Sequence, residues 1–176
     1  MVFPGTKTRM ELISRNNPIV EKCNSSMQLT RAADYAVRVM IELATLPPES
    51  RALLPDLARA TAVPESFLSK VMQGLARKEL ISSRRGKRGG FAILPRGRGA
   101  TMREVIEAID GPICLNVCLN GGKDCERKSW CPAHPVWARA QRAMVEILMS
   151  VTVSAMAAKT SITDPSNGVS SIHHPS

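Results

Sequence analysis

Aromatic residues are scarce in this sequence, since Phe, Trp and Tyr make up only 3% of its 176 residues. Any core must therefore be built from Leu, Ile, Val, Met and Ala, which favours packed helices over a large sheet. No apolar run approaches the ~20 residues of a membrane-spanning helix. The first residues also lack the uninterrupted apolar segment of a secretory signal. These absences predict a cytoplasmic protein with no membrane partner.

The combinations of residues on which most enzymes depend are also missing. The sequence has no nucleophile–base constellation, no phosphate-binding loop and no carboxylate pair in a recognisable setting. Of the three histidines, His173 and His174 lie in a polar C-terminal stretch, and only His134 lies in a patterned part of the chain. We therefore expect no catalytic residues and no enzymatic activity.

Cysteine, by contrast, is concentrated in one segment. Residues 114–137 hold four of the five cysteines and one of the three histidines. Cys118, Cys125, Cys131 and His134 are separated by six, five and two residues. The glycines between them favour an open loop, which a metal centre would order. In a reducing compartment clustered cysteines are more often ligands than disulfides, and three thiolates fit either an iron–sulfur cluster or zinc.

Positive charge is concentrated as well. The formal net charge is +9, and residues 77–98 contain eight basic residues against one glutamate. A block of this kind is typical of a nucleic-acid contact, whereas an isolated charge run is more often a solvated loop. The elements on either side of the block decide between these interpretations.

Those elements predict a winged helix. A first helix with Thr30 as N-cap precedes two shorter helices. Inward positions on the shorter helices are predicted at Leu57, Ala58, Ala62, Phe67, Leu68, Val71, Met72 and Leu75. Two β-prone runs, Leu80–Ser83 and Phe91–Leu94, then flank a Gly-rich basic tip. The predicted fold class is mostly α with a small β-hairpin, although the helix pair alone would also fit an ordinary helical hairpin.

A winged helix predicts specific contacts with double-stranded DNA. The second helix of the pair enters the major groove, and the wing reaches phosphates or the minor groove. The outward residues of that helix, which are candidates for base edges, are Ser66, Ser69, Lys70 and Gln73. The wing residues Arg84, Arg85, Lys87 and Arg88 are expected to add salt-sensitive affinity.

The C-terminal half is predicted to bring two chains together. A capping box from Thr101 to Glu104 opens a short helix, and after the cysteine segment one long helix is predicted from about Pro135 to Ala158. Its aliphatic stripe is Val136, Ala140, Ala143, Ile147, Val151 and Ala155. The stripe would be buried in a homodimer that matches a palindromic operator, or against the first helix of the same chain.

The predicted domain organisation follows from these elements. Residues 1–26 form a disordered extension, with Met27 as a candidate start. Residues 27–100 form the winged helix-turn-helix, residues 101–158 the cluster-binding loop and dimerisation helices, and residues 159–176 a disordered tail.

In combination, these features resemble the bacterial iron–sulfur winged-helix regulators, the family that includes IscR and NsrR. The resemblance rests on MQLTRAADYAVRVMIELA, on the RRGKRGG wing and on the Cys…Cys…Cys-x-x-His loop ahead of the Trp137 helix. It covers about residues 27–158. It implies a homodimeric transcriptional regulator, with repression favoured, whose operator binding follows an iron–sulfur cluster that senses nitric oxide, redox stress or iron status.

The resemblance also implies a ligand set. Cys118, Cys125 and Cys131 match the three cluster thiolates, and His134 matches the fourth ligand of the IscR branch. Asp34 lies where the nitric-oxide-sensing branch uses a carboxylate from the other subunit, so the fourth ligand stays open. Cys114 is an alternative to Cys118. Six residues separate the first two cysteines where the IscR branch has five, which leaves both 2Fe-2S and 4Fe-4S open.

Two other interpretations compete with a cluster sensor. The first is a DNA-binding repressor whose loop holds zinc or no metal, because Cys131-x-x-His134 has a spacing that zinc also uses. The second is an electron-transfer or cluster-carrier protein. That interpretation leaves the helix-turn-helix and the basic wing without a purpose.

Overall fold

The computed structural model describes residues 29–86, 89–119 and 125–163. The elements in these ranges are α1 (Arg31–Thr45), α2 (Leu54–Thr61), α3 (Glu65–Arg77), β1 (Ile81–Arg84), β2 (Gly90–Ile93), α4 (Pro95–Gly99), α5 (Met102–Asp110), a 3₁₀ helix (Val117–Leu119), α6 (His134–Met149) and α7 (Val153–Thr163). The predicted extension and most of the predicted tail lie outside these ranges. Within them, no helix is both long enough and apolar enough to cross a membrane.

The fold class is confirmed: the protein is mostly helical, with one small antiparallel hairpin. α1 lies at its centre and packs against α2, α3, α5 and α7. Thr30 caps α1 as predicted, because its hydroxyl oxygen accepts a hydrogen bond from the Ala33 N–H at 3.2 Å. The buried face of α1 consists of Ala33, Ala36, Val39, Met40 and Leu43.

The predicted helix pair is present, with two corrections to its inward face. Ala62 is exposed, because it ends α2 in the left-handed conformation with φ of 54°, which turns its side chain outward. Phe67 is 58% exposed, because it lies at the edge of the apolar face of α3 rather than at its centre. The other inward positions on α3 are confirmed, since Leu68, Val71, Met72 and Leu75 are buried.

The predicted hairpin is also present, and each strand is displaced by one residue from its predicted bounds. β1 and β2 pair antiparallel, with Ile81 opposite Ile93 and Arg84 opposite Gly90. A further bridge joins Phe91 to Ala52, ahead of α2. Gly90 has a φ of 116°, and a Cβ atom there would lie 2.6 Å from the Ala52 carbonyl oxygen. This position therefore requires glycine, which lets the wing dock on the helical domain.

α4 was not predicted, and it gives two arginines of the basic block a structural role. Arg98 donates hydrogen bonds to the carbonyl oxygens of Ala44 and Leu46, at 2.8 Å each, where α1 ends. Arg96 donates to the carbonyl of Lys78, the residue that ends α3. These guanidinium groups satisfy carbonyls that a helix end leaves without partners. Both arginines keep their charge, but some of their N–H donors are occupied within the fold.

The predicted long C-terminal helix is wrong, because the chain breaks between α6 and α7. Met102 donates its N–H to the Val151 carbonyl at 2.9 Å, and Val153 donates to the Ala100 carbonyl at 2.9 Å. This short antiparallel pairing removes residues 150–152 from the helix. α7 then packs on α1 with Val153 and Ala157 buried, whereas α6 packs on α5 and the 3₁₀ helix.

The break leaves the predicted aliphatic stripe outside the core of the protomer. On α6, Val136 and Ile147 are 66% and 67% exposed in the protomer. Burial of the stripe against the first helix is therefore wrong, because Ala155, its residue on α7, is exposed, and α7 packs on α1 through Val153 and Ala157 instead. Burial of the α6 stripe in a homodimer stays a prediction.

α5 opens with the predicted capping box. The Thr101 hydroxyl oxygen accepts from the Glu104 N–H at 3.2 Å, and the Thr101 N–H donates to the Glu104 carboxylate at 2.8 Å. The Thr101 backbone hydrogen bond holds the pKa of Glu104 below its ordinary value, against the opposing effect of burial. The Thr101 hydroxyl, Arg96 and Arg103 act in the same direction.

Candidate DNA-binding surface and cysteine site

The outward face of α3 carries the predicted base-reading residues. Leu68, Val71 and Met72 fix the opposite face in the core. Ser66, Lys70 and Gln73 are exposed, and Ser69 is half-buried at one flank. The structure thus places all four side chains on the solvent side of one helix, as insertion into a groove requires.

At the wing, the exposed residues Arg84 and Arg85 follow one another at the end of β1. Lys87 and Arg88 lie outside the described residues. The base of the wing is held by Arg51, which the sequence did not single out. Its guanidinium donates to the Gly90 carbonyl at 3.0 Å and to the Ser82 hydroxyl at 3.2 Å. An isolated arginine in an interhelical loop gives no pattern from which this role could be read.

The described parts of the cysteine segment consist of short turns ahead of α6. Cys118 lies in the 3₁₀ helix, and residues 120–124 lie outside the described ranges. From Cys125 onward, the N–H of Cys131 donates to the Arg127 carbonyl at 2.8 Å, and that of His134 donates to the Cys131 carbonyl at 3.1 Å. Cys118, Cys125 and Cys131 carry free, half-buried thiols. The turn geometry therefore places Cys131 just before His134, which begins α6.

Two side chains, neither singled out from the sequence, tie down the chain just ahead of Cys118. Gln141, on the buried face of α6, is only 7% exposed, and its Oε1 accepts the Leu115 N–H at 3.0 Å. Glu107, on α5, accepts the Ile113 N–H at 3.3 Å through Oε1. These two hydrogen bonds link the cysteine segment to two different helices.

The second of these links is part of a larger network. The same Glu107 oxygen accepts from Arg103 Nε at 3.0 Å, in an ion pair that is largely buried. Arg103 also reaches the sulfur of Met149 at the end of α6, 3.4 Å away. At the end of α5, Asp110 accepts the Thr30 N–H at 3.0 Å and the Thr30 hydroxyl at 2.6 Å. α5 thus connects the cysteine segment to the start of α1.

The fold and these two surfaces agree with one family. The model of the Rrf2 family, described as an iron-dependent transcriptional regulator, matches residues 29–159. The chain belongs to the Rrf2 family. It is therefore a DNA-binding transcriptional regulator rather than an enzyme, and the expected resemblance is confirmed.

Individual Rrf2-type proteins support the same assignment. Protein aau3 of Rhizobium meliloti is 30% identical over 128 residues, which is 72% of this chain and 82% of that protein. The HTH-type transcriptional regulator IscR of Vibrio cholerae is 26% identical over 127 residues, or 72% of this chain and 73% of that one. Among solved structures, CymR, the global cysteine regulator of B. subtilis, has a TM-score of 0.61 and 27% identity over 78% of this chain and 98% of its own.

The thiols and the imidazole of the cysteine segment are common metal ligands. Within one protomer, however, the described ligand side chains do not lie close together. Across the described ranges, no three His, Cys, Asp or Glu side chains lie close enough to hold one ion. The Nδ1 atom of His134 is nevertheless buried, and it has no hydrogen-bond partner in this part of the chain. A buried imidazole nitrogen of this kind needs a partner, and a metal ion is one such partner.

The two remaining ligand candidates, Asp34 and Cys114, have other contacts in the structure. Asp34 is on the exposed side of α1, where its carboxylate pairs with Arg38 at 2.7 Å. Cys114 is only 7% exposed and is disulfide-bonded, so its sulfur is not available in place of Cys118, whereas Cys118, Cys125 and Cys131 are free and half-buried. Asp34 is thus paired within its own helix, and its role as a ligand from the second subunit stays a prediction.

Proposed function

We propose that this Rrf2-family chain is a homodimeric repressor whose affinity for operator DNA follows the state of an iron–sulfur cluster. The thiolates of Cys118, Cys125 and Cys131 hold the cluster in this proposal. The fourth ligand is His134 or Asp34 of the partner subunit. The signal is nitric oxide, redox stress or a shortage of iron.

The observation that carries this proposal is the buried Nδ1 of His134, which has no hydrogen-bond partner among the residues that the structure describes. It lies one helical turn beyond Cys131, at the first residue of α6. A histidine with only a structural role in this position would be expected to hydrogen-bond through that nitrogen. Three free thiols nearby in the sequence supply the soft donors that iron–sulfur clusters and zinc share.

The link to DNA follows hydrogen bonds of this chain. When bound, the cluster supplies a covalent tie among the loop thiols that the signal can break. The loop is joined to α6 through Gln141 and to α5 through Glu107. α5 is joined to the start of α1 through Asp110 and Thr30. A change of order in the loop would thus reach the helices on which α3 packs, and unequal operator affinity in the two states would make it a switch.

The test is anaerobic purification of the full chain, followed by iron and sulfide analysis and a visible spectrum. Operator affinity is then measured by fluorescence anisotropy before and after the cluster is removed. We expect coloured protein, with a different affinity in each state. Cys131→Ser should abolish the colour and fix the affinity in one state, while Ser129→Ala, in the same loop, should do neither. Colourless, iron-free protein with normal operator binding would contradict the proposal.

A second candidate is a regulator whose loop holds zinc or no metal. The lack of three gathered donors across the described ranges favours the form without metal, since zinc needs gathered ligands as well. The similarity to CymR, described as a global cysteine regulator, points the same way. The same purification separates the two candidates, because zinc is colourless and carries no acid-labile sulfide. The electron-carrier interpretation loses its basis, because the chain belongs to a family of DNA-binding regulators.

A further inference from the structure

Phe67 is a large aromatic side chain on the first turn of α3, and it is 58% exposed. One edge of its ring packs against Tyr35 of α1, with the ring centroids 6.3 Å apart and the planes at 70°. That contact fixes the orientation of the ring and leaves much of its surface in water. Exposure of so much apolar surface at a defined position is typical of a binding site.

The surroundings of Phe67 identify what covers it. Its neighbours on the outward side of α3 are Ser66, Lys70 and Gln73, which are polar or positively charged and exposed. The exposed Arg84 and Arg85 extend the same positive character to the wing. An apolar partner protein would have to desolvate these groups, whereas the major groove of DNA is complementary to them. Side chains on the first turns of a recognition helix are also those that contact base edges.

The major groove offers an aromatic ring one apolar partner on its base edges, the C5-methyl group of thymine. We propose that Phe67 packs against a thymine methyl and so selects a T·A pair at one position of each operator half-site. Tyr35 is a positioning residue in this arrangement, because its edge contact holds the Phe67 ring. The inference rests on the DNA-binding part of the proposed function and is independent of any cluster.

The experiment removes single methyl groups from the DNA. Duplexes that bind the full-length protein are first selected from a random library. Each thymine of the selected duplex is then replaced by uracil, which lacks only the methyl group, and anisotropy gives the dissociation constants. For the wild type we expect one position per half-site at which uracil weakens binding about fourfold, the value expected for one buried methyl-sized group. With Phe67→Ala, uracil at that position should have no effect.

Two controls show whether a lost uracil penalty is due to the Phe67 side chain itself. Leu53→Ala removes another exposed apolar side chain, 52% exposed and outside α3, and it should retain the wild-type uracil penalty. Circular dichroism checks that Phe67→Ala remains folded, which its exposure leads us to expect. If Phe67→Ala shows the same uracil penalty as the wild type at every position, the inference is wrong while the DNA-binding function stands. If the wild type selects no duplex at all, both fail.

Discussion

The DNA-reading half of the molecule, α1 to α5 with the hairpin, is built differently from the cysteine half, which runs from the end of α5 through α6. All but one of the largest fully buried side chains lie between α1 and α5, and the exception, Val153, is on α7. α6 has 16 residues but buries only Gln141 and Val145. The first half is therefore held by apolar packing, whereas the second depends on a few hydrogen bonds.

This difference suits a sensor. Regions with few buried apolar contacts open at a lower free energy than a packed core, so they respond to ligands without global unfolding. The cysteine half has that character. The half that reads DNA should stay folded when the loop changes, because its apolar core does not depend on the thiols.

The largest effect should come from a matched pair of leucines. Leu68 is fully buried on α3, and Leu148 is half-buried on α6. Leu68→Ala should lower the free energy of unfolding by ~2–5 kcal/mol, the cost of a cavity in a packed core. Leu148→Ala should cost roughly half of that or less. Urea unfolding of the metal-free protein, followed by circular dichroism, measures both values. Equal losses would show that α6 is as tightly packed as the DNA-reading half.

A smaller and more local effect is expected at Gln141. Gln141→Leu removes the acceptor of the part-buried Leu115 N–H, at a cost of ~0.5–1.5 kcal/mol for a lost hydrogen bond. Because the loss falls on the chain just ahead of Cys118, that thiol should be alkylated about tenfold faster in metal-free protein. Peptide mass spectrometry after timed alkylation measures the rate.

The controls for Gln141 come from the same helix. Gln141→Glu keeps an acceptor and should restore the slow rate, and Arg142→Leu, at an exposed neighbouring position, should leave the rate unchanged. An unchanged Cys118 rate in Gln141→Leu would mean that this hydrogen bond does not order the segment.

Local signals predicted the DNA-reading half well. The Thr30 cap, the capping box at Thr101, the helix pair and the hairpin each depend on residues close together in the sequence. The break between α6 and α7 could not be predicted in this way, since it depends on Val151 and Val153 pairing with a segment about fifty residues earlier. The cysteine spacing located the turns leading into α6. The side chains that anchor them, Glu107 and Gln141, act through contacts that only the fold creates.

The smallest effect on stability is expected at the capping box of α5. It tests the difference between the two halves, because a change in the cap should not alter the reactivity of the thiols. The Thr101 backbone hydrogen bond lowers the pKa of Glu104 in the folded protein. A lowered folded-state pKa means that the ionised carboxylate stabilises the protein at pH values above its unfolded pKa of about 4.3, and that this contribution is lost as the pH falls through the folded value. Glu104→Gln should therefore be less stable than the wild type at neutral pH, by under ~1 kcal/mol because the carboxylate is exposed to screening.

The difference in stability between Glu104→Gln and the wild type should shrink as the medium becomes acidic. Urea unfolding across that pH range measures it, and the alkylation rate of Cys118 should match the wild type. A difference in stability that stays constant with pH would show that the charge of Glu104 is not what stabilises the cap.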